Sequence, residues 1–204
     1  MKQIIFGIYA EGPTDYRFFS TLLDRYLTHF CYLSGVEADI LPAVLIRGKE
    51  GFPTGFIEKM KYIEQENLGT KGLPYIFVHN DSDARTLDRA LDYKWRPWIN
   101  MCVDKSTWLA ITPIRMTESW MLADVEALKS TFIISVENIR QVIGNSDPES
   151  ISDPKSKLEE LMRRGKQRRT TNFEENLAKR IRLELLEQLP SFQFLRSQIE
   201  ERIR

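Results

Sequence analysis

A chain of 204 residues with 29 Lys plus Arg against 29 Asp plus Glu has no net charge, which excludes a uniformly polybasic nucleic-acid binder and confines any basic surface to local patches. An apolar fraction of 42% with 11% aromatic residues excludes a disordered chain. Cys31 and Cys102 are the only cysteines and form no CxxC pair, which excludes a cysteine-rich zinc site and fits reduced thiols. No apolar run approaches the roughly 20 residues of a membrane span. The opening MKQIIFGIYAEG is shorter in its apolar part than a secretory signal and reads as a first strand. The expectation is a soluble cytoplasmic protein without a membrane partner, one domain with an embellishment.

In chain order, residues 4–10 form an apolar first strand that is expected to be buried on both faces. Residues 11–15, EGPTD, end it and open a helix, with Pro13 suited to the first helical position and Asp15 to the first turn. Phe18, Phe19, Leu22, Leu23, Tyr26 and Leu27 give that helix a broad apolar stripe. Residues 40–46 read as a second strand, with Pro42 marking an edge or a bulge. A glycine-rich link follows, then an amphipathic helix over 56–68. Residues 75–78 are a third strand, bounded by Pro74. Residues 86–105 read as helix broken near Pro97, with Tyr93, Trp95 and Trp98 as packing residues. Residues 108–114 are a fourth strand and 117–129 a fourth helix. This alternation predicts a mostly parallel four-stranded sheet with helices on both faces. Beyond it come a polar loop at 145–153 and helical segments over 154–164, 173–189 and 190–204, an appendage that divides the chain into 1–130 and 131–204.

The stretch LPYIFVHNDSD, residues 73–83, carries the chemistry. A buried strand runs directly into Asp81 and Asp83. In an extended segment these two point the same way, and two close carboxylates repel unless a cation or a shared proton lies between them. Mg2+ takes oxygen ligands and suits such a spot, whereas a solvated Asx-type turn explains the same residues without a metal. Ligands of open parallel sheets bind beyond the carboxyl ends of the strands. If strands one, three and four are neighbours, Glu11, Asp81, Asp83 and Glu118 crowd one rim, where paired metals clamp phosphoryl displacements.

Each residue has a bland alternative. Glu11 and Glu118 suit helix starts, and Asp15 reads as a first-turn acid rather than a ligand. Asp124, six residues past Glu118, falls on another helix face. His79 reads as a buried, hydrogen-bonded strand histidine before it reads as a base. Arg115 suits a phosphate or an ion pair with the acids. Arg47 and Lys49 lie on the same rim, in reach of a polyanion. The most basic stretch, MRRGKQRR at 162–169, offers Arg163, Arg164, Lys166, Arg168 and Arg169 to a nucleic-acid backbone or forms a solvated helix end stopped by Gly165. The tryptophans read as core.

The order and strand placement of EGPTD (residues 11–15) and DSD (residues 81–83) resemble the TOPRIM domain of topoisomerases, primases and OLD-type nucleases. The later RMTESWMLAD, residues 115–124, resembles small TOPRIM-like proteins related to the RloB-type proteins encoded beside ATPases in bacterial defence loci. The resemblance implies a Rossmann-like TOPRIM core. It implies that Glu11 is a metal ligand or general acid–base, that Asp81 and Asp83 hold Mg2+ (or Mn2+), and that Glu118 is an extra acid for a second ion. The implied activity is metal-dependent cleavage of DNA or RNA in antiviral defence, with an ABC/OLD-type ATPase subunit as partner and homo-oligomerisation left open. Two alternatives stand beside it. One is a non-catalytic regulatory or effector subunit that binds a partner protein. The other is a small-molecule phosphohydrolase, disfavoured because its Asp-x-Asp normally follows the first strand.

Overall fold

The computed structural model describes residues 2–47, 52–82, 84–166 and 172–203. Its centre is a four-stranded parallel sheet of β2 (Phe6–Tyr9), β4 (Val44–Ile46), β5 (Tyr75–His79) and β6 (Trp108–Ile111), in the order β4-β2-β5-β6. A second, two-stranded parallel sheet pairs β1 (Lys2–Ile4) with β3 (Ala38–Ile40). The fold is α/β and Rossmann-like.

The first two strands expected from sequence are each split. Ile5 separates β1 from β2, and Leu41, Pro42 and Ala43 separate β3 from β4. Pro42 has no N–H to donate and interrupts the ladder, while Leu41 N–H still reaches the Ile4 carbonyl at 3.0 Å.

Strand periodicity explains the two-sided core. Phe6, Ile8, Phe77, Leu109 and Ile111 point to one face, under α1 (Pro13–Leu33) and the C-terminal helices. Tyr9, Ile76, Val78, Trp108 and Ala110 point to the other, under α2 (Phe56–Glu66) and the helical stretch α3 (Leu87–Ala90) to α4 (Arg96–Ile99). Pro97 does not break that stretch. It occupies the first turn of α4, after a wide π-type turn over Leu91–Trp95. Trp95 and Trp98 are buried as expected, but Tyr93 is exposed.

The helix expected over 117–129 is two helices, α5 (Thr117–Met121) and α6 (Val125–Phe132). Asp124 makes the break: its Oδ1 accepts from Glu126 and Ala127 N–H at 3.0 and 3.3 Å and caps α6. The same buried carboxylate pairs with Arg182 Nε at 2.9 Å. The helix α7 (Val136–Ile143) went unpredicted. Beyond it lie α8 (Pro154–Arg164), α9 (Phe173–Arg180), α10 (Leu183–Leu186) and α11 (Pro190–Arg202). Gly165 ends α8 without a left-handed φ; it is needed because a side chain there would strike the Phe132 carbonyl.

The helices after residue 130 share one buried cluster with α1 and the sheet. Arg17 grips Glu174 of α9 at 3.0 Å, and Arg25 donates to the Ala178 and Ile181 carbonyls. On α11, the Gln198 amide accepts from Ala110 N–H at 2.9 Å and donates to Ala110 C=O at 3.2 Å along the outer side of β6. No helix among the described residues is long and apolar enough to cross a membrane.

Candidate functional site at the carboxyl edge of the sheet

Strands β2, β5 and β6 are adjacent and parallel, with Tyr9 opposite Val78 and Val78 opposite Ala110. Glu11 and Asp81 therefore leave the sheet side by side, each two residues past its strand. The loop after β6 brings Thr117 and Glu118 to the same edge. Glu11, Asp81 and Glu118 thus lie along this edge, without forming a three-carboxylate cluster among the described residues, and Asp83 lies outside the described residues.

His79, the last residue of β5, is fully buried at the centre of the edge. Its Nε2 lies 2.9 Å from Thr117 Oγ1 and 3.1 Å from Asp81 Oδ1. The Thr117 hydroxyl donates to Asp15 Oδ1 at 2.8 Å, so its oxygen is left to accept from the histidine and Nε2 carries the proton. The histidine thus donates toward both Thr117 and Asp81, while Nδ1 lies 4.0 Å from Asp15 Oδ2. Burial works to lower the His79 pKa, but the bond to Asp81 and the charges of Asp81, Asp15 and Glu11 outweigh it, and the net shift is upward. The sequence expectation of a buried, hydrogen-bonded histidine holds.

Asp81 Oδ1 also accepts Thr117 N–H, at 3.1 Å, from the first residue of α5. Lys94 bridges from the wide turn before α4. Its Nζ lies 3.2 Å from Glu11 Oε1 and 3.4 Å from the Asp81 carbonyl oxygen. Glu118 is half-buried, and its pKa is raised first by burial and then by the negative charges of Asp81 and Asp15.

Arg115 adopts φ 73°, the left-handed region that non-glycine residues seldom occupy. Its N–H donates to the Ala84 carbonyl at 3.1 Å, and its buried Nε has no hydrogen-bond partner among the described residues. Strain of this kind persists where surrounding contacts over-determine it, and here it sets the turn that presents Thr117 and Glu118. Among the described residues, Arg115 forms no ion pair with the acids.

Sequence reasoning placed Asp15 in the first helical turn, where its Oδ2 does accept Gly12 N–H at 3.1 Å, but missed its second bond, to Thr117. It missed Thr117 and Lys94 altogether. Arg47 lies just past β4, as expected. Arg163, Arg164 and Lys166 are at the far end of α8, about 13 Å along the helix from its start, where Arg164 is tied to Glu160 and Gln141. Lys49, Arg168 and Arg169 lie outside the described residues.

No family model matches the chain, and no curated protein or solved structure does either.

Carboxylates are the hard oxygen donors that Mg2+ takes, and it commonly uses one or two of them and keeps several waters. Asp81 Oδ1 is engaged, Oδ2 has no hydrogen bond among the described residues, and the charge of Asp81 helps raise the Glu118 pKa. Among the described residues no three His, Cys, Asp or Glu side chains form a ready-made cage. A largely hydrated Mg2+ or Mn2+ there would have Asp81 as its direct carboxylate, with Glu118 contributing negative charge nearby. Glu11 has Oε1 engaged by Lys94, whose ammonium competes with a cation for it.

Proposed function

We propose that this chain cleaves phosphodiester bonds in DNA or RNA with Mg2+ or Mn2+. The observation that carries the proposal is that Glu11 and Asp81 leave adjacent parallel strands at one carboxyl edge, where buried His79 and the Thr117 N–H that opens α5 beside Glu118 both hold Asp81. A folded core gains nothing from gathering like charges there, and a cation relieves their repulsion. Held there, the ion would supply an activated water and charge neutralisation at the phosphate. The chain's own residues set the geometry. Thr117 N–H and His79 hold Asp81, and Asp15 holds Thr117. Lys94 orients Glu11, the most exposed of the three acids, for proton transfer toward solvent. The likeness to proteins encoded beside ATPases supports, within the same proposal, action with an ATPase partner in phage defence.

The Lys94–Glu11 ion pair favours a second reading, a non-catalytic subunit in which a resident ammonium replaces the metal. One experiment separates the two. The purified protein is incubated with single- and double-stranded DNA and RNA in Mn2+, with and without a co-expressed ATPase, beside the Asp81→Asn variant. Cleavage by wild type that Asp81→Asn abolishes supports the enzyme. Intact nucleic acid in every condition, with no Mn2+ bound, supports the second reading.

A further inference from the structure

The segment of residues 11–17 separates two clefts of similar size whose described linings differ in the sign of their charge. The cleft toward α8 and α9 measures about 720 Å3, and its described lining sets Asp15, Glu118, Glu159 and Glu174 against Arg17 and Lys155. The cleft toward β4 and α2 measures about 750 Å3, and its described lining sets Arg17, Arg47 and Lys59 against one acid, Glu11. Arg17 is committed to Glu174 and stands between the two. Among the described residues Arg47 and Lys59 enter no ion pair. The second cleft also contains the half-buried ring of Phe52, seated 6.2 Å from Tyr9 and 5.4 Å from Tyr62 between ring centroids.

Two uncommitted cations beside an aromatic ring are what a single nucleic-acid strand needs, charge for phosphates and a π-face for a base. A volume of this size lies within the roughly 300–1,000 Å3 of small-ligand sites. Among the described residues the other cleft carries more acids than cations, which disfavours phosphates. We infer that the cationic cleft receives an unpaired nucleotide next to the phosphate presented at Glu11, with its base against Phe52 and its flanking phosphates on Arg47 and Lys59. This rests on the phosphodiester-cleavage proposal and deepens it: the substrate strand is single-stranded at this point and enters from the β4 side. A base inside a duplex has no free face to offer.

The test is fluorescence anisotropy of a short fluorescein-labelled oligothymidylate in EDTA, where no cleavage occurs, with circular dichroism confirming that each variant is folded. Phe52→Leu keeps apolar packing against Tyr9 and Tyr62 but loses stacking, and binding weakens between about fivefold and a hundredfold. Arg47→Glu and Lys59→Glu each weaken binding and make its salt dependence shallower, by about 0.7 in slope for every phosphate no longer neutralised. Lys155→Glu, in the acidic cleft, leaves it unchanged. The inference is overturned if wild type does not bind the oligonucleotide. It is equally overturned if a duplex binds as tightly with no effect of Phe52→Leu, or if Lys155→Glu weakens binding as much as Arg47→Glu. Cleavage in Mn2+ is scored separately. Strand binding through the cleft without cleavage sinks the enzymatic proposal alone, and cleavage that ignores the cleft variants sinks this inference alone.

Discussion

Thr117 and Asp15, 102 residues apart in sequence, are joined by a hydroxyl-to-carboxylate hydrogen bond of 2.8 Å that ties the first turn of α5 to the first turn of α1. The bond decides which way the hydroxyl points, and so makes Thr117 an acceptor for His79. Thr117→Val keeps the shape but removes the hydroxyl, leaving Asp15 and buried His79 short of a partner. The expected loss is about 1–3 kcal/mol in urea unfolding, accompanied by reduced cleavage. Stability within error of wild type contradicts the network.

His79 gives the protein an alkaline sensitivity. Its pKa is raised in the folded state above the ordinary 6.5, so the stability it contributes is complete below 6.5 and declines as pH rises through the folded value. Asp81→Asn removes the strongest of the interactions that raise it. The variant is expected to lose part of that pH dependence and to bring the His79 ring titration downward in NMR, while Mn2+ binding weakens by roughly ten- to a hundredfold or more. An unmoved His79 titration refutes the pairing.

Asp124 provides the opposite limb. Burial pushes its pKa up, but Arg182 and the α6 backbone N–H groups outweigh that, and the net shift is downward. Its contribution is present above the ordinary carboxylate value of 3.8 and disappears as pH falls through the depressed folded value. Asp124→Ala removes the α6 cap and releases the half-exposed Arg182 guanidinium to water, with an expected cost of about 0.5–2 kcal/mol from the lost cap. Thermal melts across the acid range, wild type against variant, check both the size and the direction.

Lys94 competes for the acids that a cation needs. Lys94→Met leaves Glu11 free and removes a positive charge from the rim. Mn2+ affinity, read by EPR, is expected to rise by no more than about fivefold, the equivalent of an exposed ion pair worth at most about 1 kcal/mol. Cleavage is expected to fall, because Glu11 is no longer oriented. Weaker Mn2+ binding in this variant means that the lysine organises the metal site rather than opposing it.

Glu149 is buried behind the site. Its carboxylate accepts from Trp120 Nε1 at 3.2 Å, from Ile114 N–H at 3.5 Å, from Ser191 N–H at 3.4 Å and from the Ser191 hydroxyl. It fastens the loop that carries Arg115 to α5 and to the start of α11. Glu149→Ala leaves several buried donors unpaired and is expected to cost about 3 kcal/mol or more. Glu149→Gln, which keeps an acceptor oxygen, should cost clearly less in the same denaturation experiment.

The sheet was legible because its strands are short apolar runs flanked by turn residues, and burial on both faces leaves few other uses for Ile76, Phe77 and Val78. The rim acids followed from the parallel order, since Glu11 and Asp81 each lie two residues beyond a strand. The parts of the site that went unread depend on geometry without a local signal. Lys94 projects from a wide helical turn 83 residues from its partner. Arg115 takes a left-handed conformation without being glycine. Other misses did have signals. Ser135 followed by Val136, Ile139 and Val142 is a capped amphipathic helix, and Asp124 before Val125 is a cap, read past because the helical pattern continued on either side.

Gln198 has a consequence for how molecules of this protein meet. By taking both the N–H and the carbonyl of Ala110, its amide occupies hydrogen-bonding positions that a neighbouring chain's strand would otherwise seek. The β6 side is thereby closed to lateral addition. Among the described residues, any lengthening of the sheet from one copy into another has to start at the opposite margin, where β4 has a partner on only one flank.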